Sequence, residues 1–168
     1  MTQAPLMDRI RITEDYDVPR VINGGWQLSA GHALERPLDL ADASRAFNRL
    51  IDMGFDTFDC ADIYTGVEDF FGGIIRERRK AGLRLPQIHT KFVPDLNDLA
   101  NVTPAYVENI ITRSLRRLGV ERLDAVQFHW WDYSVPGMVD VAGELVRLQE
   151  KGLIRLISTT NFNAVELR

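Results

Sequence analysis

The chain has 168 residues, 45% of them hydrophobic and 26% charged, with a net charge of -4. That balance suits one globular domain with a sizeable core, leaves no basic footprint for nucleic acid, and holds no run near the roughly 20 apolar residues that a membrane span needs. A single cysteine, Cys60, excludes an internal disulfide, and residues 1–10 lack the apolar stretch of a secretory signal, so a reducing, cytoplasmic setting is expected.

In chain order, residues 9–16 read as an extra N-terminal strand or hairpin. A first strand is expected over 20–23, leaving through Gly24-Gly25-Trp26. A helical pattern over 41–53 stops at Gly54, and a short apolar strand follows over 57–61. The next helix, 68–80, stops before Gly82 and leads to a strand over 88–93. Thr103-Pro104 is a helix start, a hydroxyl cap followed by proline in the first turn. The helix it opens, 104–118, carries Val107, Ile110, Ile111, Leu115 and Leu118 at helical spacing and ends at Gly119. A strand over 123–130, a helix over 138–151 ending at Gly152, and a strand over 153–159 complete the pattern. Residues 164–167 read as the beginning of a further helix.

Strands and helices alternating at intervals of roughly 30 residues mean parallel strands joined by crossover helices. An open doubly wound sheet usually carries a glycine-rich phosphate loop after its first strand, and neither Gly24-Gly25 nor Gly72-Gly73 makes one. The polar residues lie at the ends of several different strands instead, which is the habit of a parallel (β/α) barrel of TIM type. The fold class expected is therefore α/β, a single partial (β/α) barrel domain over 1–168.

Alternation along the strands puts Asp59, Lys91 and His129 on the faces opposite the apolar ones, toward the upper end of the barrel. Tyr64 follows Asp59 by five residues, where the chain turns into a helix. The chain has only three lysines, and Lys91 alone sits inside an apolar strand. An ammonium buried there needs a carboxylate, and Asp59 is its natural partner. A cation beside Tyr64 favours the phenolate and makes the phenol a better proton donor to a developing alkoxide. A neutral His129 can hydrogen-bond the same oxygen. Taken singly, Asp59 could cap a turn, and Tyr64 and His129 could be packing; four such groups on one rim favour chemistry.

Together these residues resemble the aldo-keto reductases. The segment Gly54-Phe55-Asp56-Thr57-Phe58-Asp59-Cys60-Ala61-Asp62-Ile63-Tyr64 is similar to that family's signature. Thr90-Lys91-Phe92 and Gln127-Phe128-His129-Trp130 are similar to its lysine and histidine motifs. Gly24-Gly25-Trp26-Gln27-Leu28 resembles the exit of its first strand, and Thr160-Asn161-Phe162 the end of its fifth. The resemblance implies an NADPH-dependent reductase acting on a small aldehyde or ketone. In it Tyr64 is the general acid, Lys91 tunes it, Asp59 pairs with Lys91, and His129 orients the carbonyl. Gly25, Trp26, Asp59, Thr160 and Asn161 are the cofactor positions the resemblance implies. Trp26 and Trp130 match substrate-pocket aromatics. Thr160 stands where serine is usual, and Ser158 where glycine is common.

A complete barrel has eight strands and typically about 250 residues. The expectation is an incomplete reductase chain with part of the NADPH site missing and weak or absent turnover, whose exposed sheet edge invites self-association or a missing-half partner. The alternative is a non-catalytic cofactor-binding or regulatory module on the same fold. A metal-dependent hydrolase built on Asp59, His89 and His129 is a third reading, disfavoured by the lack of a His-x-His pair.

Overall fold

The computed structural model describes residues 7–30 and 39–167. The chain divides into two compact units, Met1–Cys60 with Tyr64–Ile88, and Ala61–Ile63 with His89–Arg168. Among the described residues no helix is long and apolar enough to cross a membrane.

The first unit opens with a hairpin of β1 (Arg9–Thr13) and β2 (Tyr16–Pro19), antiparallel, with Arg9 opposite Pro19 and Thr13 opposite Tyr16. The expected extra N-terminal element is thus a hairpin. It takes up more of the chain than expected, and the strand placed at 20–23 shrinks to β3 (Asn23–Gly24). The reason is burial. Tyr16 and Val18 are covered, whereas Val21 and Ile22 are 48% and 41% exposed.

Helix α1 (Leu40–Asp52) begins where the Asp39 carboxylate accepts the amide protons of Ala41 and Asp42 at 2.9 and 3.1 Å. Strand β4 (Thr57–Asp59) pairs in parallel with β3, aligning Asn23 with Phe58 and Gly24 with Asp59. Helix α2 (Val67–Lys80) lays Phe71, Ile74 and Ile75 into the core. There Phe47 of α1, Phe58 of β4, and Phe70 and Phe71 of α2 form one aromatic cluster. Phe58 and Phe71 stack at 5.2 Å between ring centroids, and Phe47 meets both edge-on at 5.0 and 5.3 Å. Arg78, almost fully buried, ties the end of α2 to α1 through Asn48 Oδ1 at 2.8 Å and Asp52 Oδ1 at 2.7 Å.

In the second unit β5 (Gln87–Phe92), whose first two residues belong to the first unit, runs parallel to β6 (Leu123–Phe128). β6 is in turn parallel to β7 (Ile154–Thr159). The crossovers are α3 (Pro104–Leu118) and α4 (Met138–Glu150). Along β5 burial alternates: Ile88, Thr90 and Phe92 are buried, while Gln87, His89 and Lys91 are partly exposed. The expected split between an apolar face under helices and a polar face is therefore present in that strand. The glycines after α1, α2, α3 and α4 all take positive φ, at 94°, 66°, 66° and 80° for Gly54, Gly82, Gly119 and Gly152. That left-handed turn is what stops each helix.

Thr103 caps α3 through its side-chain oxygen, which accepts the Tyr106 amide proton at 3.2 Å. Thr103→Ala should lower stability by about 1 kcal/mol, read as a shift of the urea midpoint at constant slope. No shift would mean that the cap is redundant with Pro104. The apolar stripe of α3 is as expected, except that Ser114 rather than Leu115 lies fully buried.

Candidate active site

Gly25 follows β3 and donates its amide proton to the Asp59 carbonyl oxygen at 2.8 Å. A Cβ added at Gly25 would stand 3.0 Å from that same oxygen, 3.0 Å from Val67 Cγ1 and 3.1 Å from a Phe71 ring carbon. Glycine is therefore required here for close approach, and the approach fixes the end of β4 where Asp59 sits. The short 3-10 turn Trp26–Leu28 comes next, and Trp26 is 45% exposed. Beyond β4 the chain passes through the buried Cys60, Ala61 and Asp62 to the partly exposed Tyr64, whose carbonyl accepts the Val67 amide proton at 3.0 Å as α2 begins. The first unit thus brings Gly25 and Asp59 together and places Tyr64 on the turn into α2.

In the second unit Lys91 is aligned with Gln127, and Gln127 with Ser158, in one row across β5, β6 and β7. His129 lies just past β6, its amide donating to the Phe92 carbonyl at 3.1 Å. His129 is 6% exposed. Its Nδ1 lies 3.4 Å from the Thr160 carbonyl oxygen and 3.4 Å from the Asn161 side-chain nitrogen. Its Nε2 is buried and has no hydrogen-bond partner among the described residues. A buried imidazole nitrogen without a partner costs free energy unless a bound group meets it. Thr160 donates its amide proton to the Phe128 carbonyl at 3.0 Å, which sets the next residue beside the histidine. Asn161 holds a positive φ of 63°, a left-handed conformation that asparagine tolerates better than most residues. His129, Thr160 and Asn161 therefore form one local group.

Trp130, expected at the wall of a substrate pocket, is buried. It is 1% exposed, bonds the Val135 carbonyl through Nε1 at 3.2 Å and packs near Phe128. It follows the end of β6 and packs with that strand's buried Phe128. The aromatic that meets the His129 ring is Trp131, edge-on at 4.4 Å between centroids. Trp131 is 47% exposed, and its Nε1 is anchored on the Pro94 carbonyl at 2.7 Å. The alternation along the expected strand 123–130, which sets Trp130 on the side opposite His129, was the available signal.

Sequence reasoning also missed Asp62. Its side chain is fully buried; Oδ1 accepts the Val93 amide proton and Oδ2 the Arg113 guanidinium, each at 3.1 Å. A carboxylate within the apolar run Cys60-Ala61-Asp62-Ile63 needs such partners. Among the described residues no group of three or more His, Cys, Asp or Glu side chains is arranged to hold a metal ion.

A model of the Aldo/keto reductase family matches residues 20–168. The methylglyoxal reductase DkgA of Yersinia pestis is 28% identical over 170 residues, which cover 100% of this chain and 53% of that protein. An aldo-keto reductase of Mycolicibacterium vanbaalenii is 27% identical over 167 residues, covering 99% of this chain and 54% of its own length. The chain spans about half the length of the curated relatives it matches. Among solved structures, an aldo-keto reductase of Bombyx mori in complex with NADP superposes with a TM-score of 0.74 at 22% identity, over 95% of this chain and 52% of that one. The holo form of an aldo-keto reductase from Bacillus halodurans gives 0.72 at 22% identity, over 96% and 53%. At such identities a likeness shows the fold: the parallel (β/α) barrel expected from the sequence, of which the chain carries part. With the family model running from just before β3 to the last residue, the chain belongs to the aldo/keto reductase family.

Proposed function

We propose that this chain carries the proton-donating half of an NADPH-dependent carbonyl reductase acting on a small aldehyde or ketone. The observation that carries the reading is the buried His129 Nε2, which lacks a partner among the described residues while Nδ1 faces Asn161 and Thr160. With the Asn161 amide donating to Nδ1, Nε2 bears the ring proton and can donate it in a hydrogen bond to a carbonyl oxygen. Tyr64 then delivers its hydroxyl proton to that oxygen as it becomes an alkoxide, Lys91 favours the phenolate left behind, and Asp59 balances the ammonium. The Thr160 hydroxyl and the Asn161 amide offer the donor and acceptor that a nicotinamide carboxamide requires, and Gly25 and Trp26, at the exit of β3, are further cofactor positions in this reading. Bound NADPH would supply the hydride that reduces the carbonyl carbon, leaving NADP and the alcohol. Bombyx mori's relative in complex with NADP supports the choice of cofactor.

The 168-residue chain covers about half of its relatives' length, so weak NADPH binding and little turnover are expected of it alone. Fluorescence titration of NADPH measures the first; tight binding would show that the residues present suffice. The rate of aldehyde-dependent NADPH oxidation measures the second. Tyr64→Phe should cut that rate at least about a hundredfold, within the usual range for general acid catalysis. A Tyr64→Phe protein as fast as the native chain would remove Tyr64 as the acid and favour a non-catalytic cofactor-binding role.

A further inference from the structure

We infer that Tyr133 is a positioning residue that selects which nitrogen of His129 carries the ring proton. The inference rests on the carbonyl-orienting role proposed above for His129 and concerns how that role is secured.

His129 Nδ1 faces two groups of opposite demand, each at 3.4 Å. The Thr160 carbonyl oxygen only accepts, so it favours a proton on Nδ1. The Asn161 side-chain nitrogen only donates, so it favours a bare Nδ1 and a proton on Nε2. Only the second arrangement lets the buried Nε2 donate to a substrate carbonyl oxygen. The Thr160 amide is pinned to the Phe128 carbonyl at 3.0 Å, which keeps that stretch of backbone beside the imidazole. The balance therefore turns on what holds Asn161.

Among the described residues Asn161 is the one non-glycine with a positive φ, at 63°. Such a conformation persists where its surroundings hold it. Tyr133 does so through two contacts. Its hydroxyl donates to the Asn161 carbonyl at 2.9 Å, and its ring meets that of Phe162 edge-on at 5.4 Å between centroids. Phe162 in turn lies 5.6 Å from the buried ring of Phe128. Tyr133 itself stands on a built turn. Asp132 Oδ1 accepts the Ser134 amide at 2.9 Å and the Ser134 hydroxyl at 2.7 Å, and the Asp132 carbonyl accepts the Val135 amide at 3.1 Å. The Val135 carbonyl takes Nε1 of the buried Trp130, which anchors the turn in the core. The path runs from a fixed turn through Tyr133 and Asn161 to the imidazole.

Long-range 1H–15N correlation of the 168-residue chain labelled with 15N-histidine tests this. At about pH 8.5, well above the ordinary histidine pKa of about 6.5, neutral rings show their tautomers separately. The His129 signals are identified by their loss in His129→Gln. The native chain should hold the proton mainly on Nε2. Tyr133→Phe keeps the ring against Phe162 and loses the hydroxyl; it should raise the share protonated at Nδ1 at least about threefold, in line with the loss of one neutral hydrogen bond. Asn161→Gly tolerates the positive φ but lacks the amide, and should shift the ratio as far or further. Adding Tyr133→Phe to Asn161→Gly should then change nothing more. The His89 signals should stay in place in every variant. The inference fails if Tyr133→Phe leaves the His129 ratio unchanged, or if it acts as strongly without the Asn161 amide as with it. A native His129 protonated on Nδ1 overturns it together with the orienting role of Nε2. The expected response in a chain that oxidises no NADPH upholds the positioning and counts against the reductase reading alone.

Discussion

Asp56→Ala should destabilise the protein by about 2–4 kcal/mol, and Asp56→Asn by roughly half as much. The Asp56 side chain is 2% exposed, yet it takes two arginines. Oδ1 accepts Arg9 Nη1 at 2.8 Å, and Oδ2 accepts Arg84 Nη2 at 2.5 Å. Its carbonyl accepts the Gln87 amide proton at 2.8 Å. One buried carboxylate thus joins β1, the start of β4 and the approach to β5. Deleting it strands Arg9, which is only 18% exposed, although Arg9 keeps its ion pair with Asp17. Arg84 is 55% exposed and recovers water, so the cost falls below that of a fully buried pair. β4 has only three residues, so loosening its first end is transmitted to Asp59 at the other. Urea unfolding of the two variants measures the effect. A midpoint shift worth less than about 0.5 kcal/mol would show that the arginines find other partners.

The second large effect is expected at Phe71. Its ring is fully buried and lies within 5.2 to 5.4 Å of Phe58, Phe47 and Phe70. Phe71→Ala removes a ring that three others pack around and should cost about 3–5 kcal/mol; Phe71→Leu, which keeps most of the volume, should cost much less. Phe71 also lies against Gly25, whose amide holds the Asp59 carbonyl. The cavity should therefore loosen the β3 exit as well as the core. Thermal unfolding gives the stability loss, and hydrogen exchange at the Gly25 amide gives the local one. Equal protection in Phe71→Ala and the native chain would show that the turn stands without the ring beneath it.

The repeating elements of this fold were legible because each is fixed by neighbours in sequence. α3 (Pro104–Leu118) is foretold to the residue by Thr103, Pro104 and Gly119, since capping and the left-handed stop are local events. The ends of α1, α2 and α4 lie within a residue of expectation for the same reason. The first parallel strand was misplaced because Val21 and Ile22 have strand-forming side chains yet stay 48% and 41% exposed. That information lies in the rest of the molecule, outside the segment.

The candidate site divides the same way. The spacing of Asp59, Tyr64, Lys91 and His129 is written in the sequence, because strand alternation assigns faces residue by residue. Which tryptophan meets His129, and that Asp62 is bonded to Val93 and Arg113, are not written there. The sequence by itself determined the order of strands and helices, the helix stops and the residue types able to move a proton. Only the tertiary structure decided that Trp130 is core while Trp131 flanks the imidazole, that Gly25 must lack a side chain, and that His129 keeps one nitrogen without a partner among the described residues. Those outcomes depend on distances between groups far apart in the chain, which local preference does not encode.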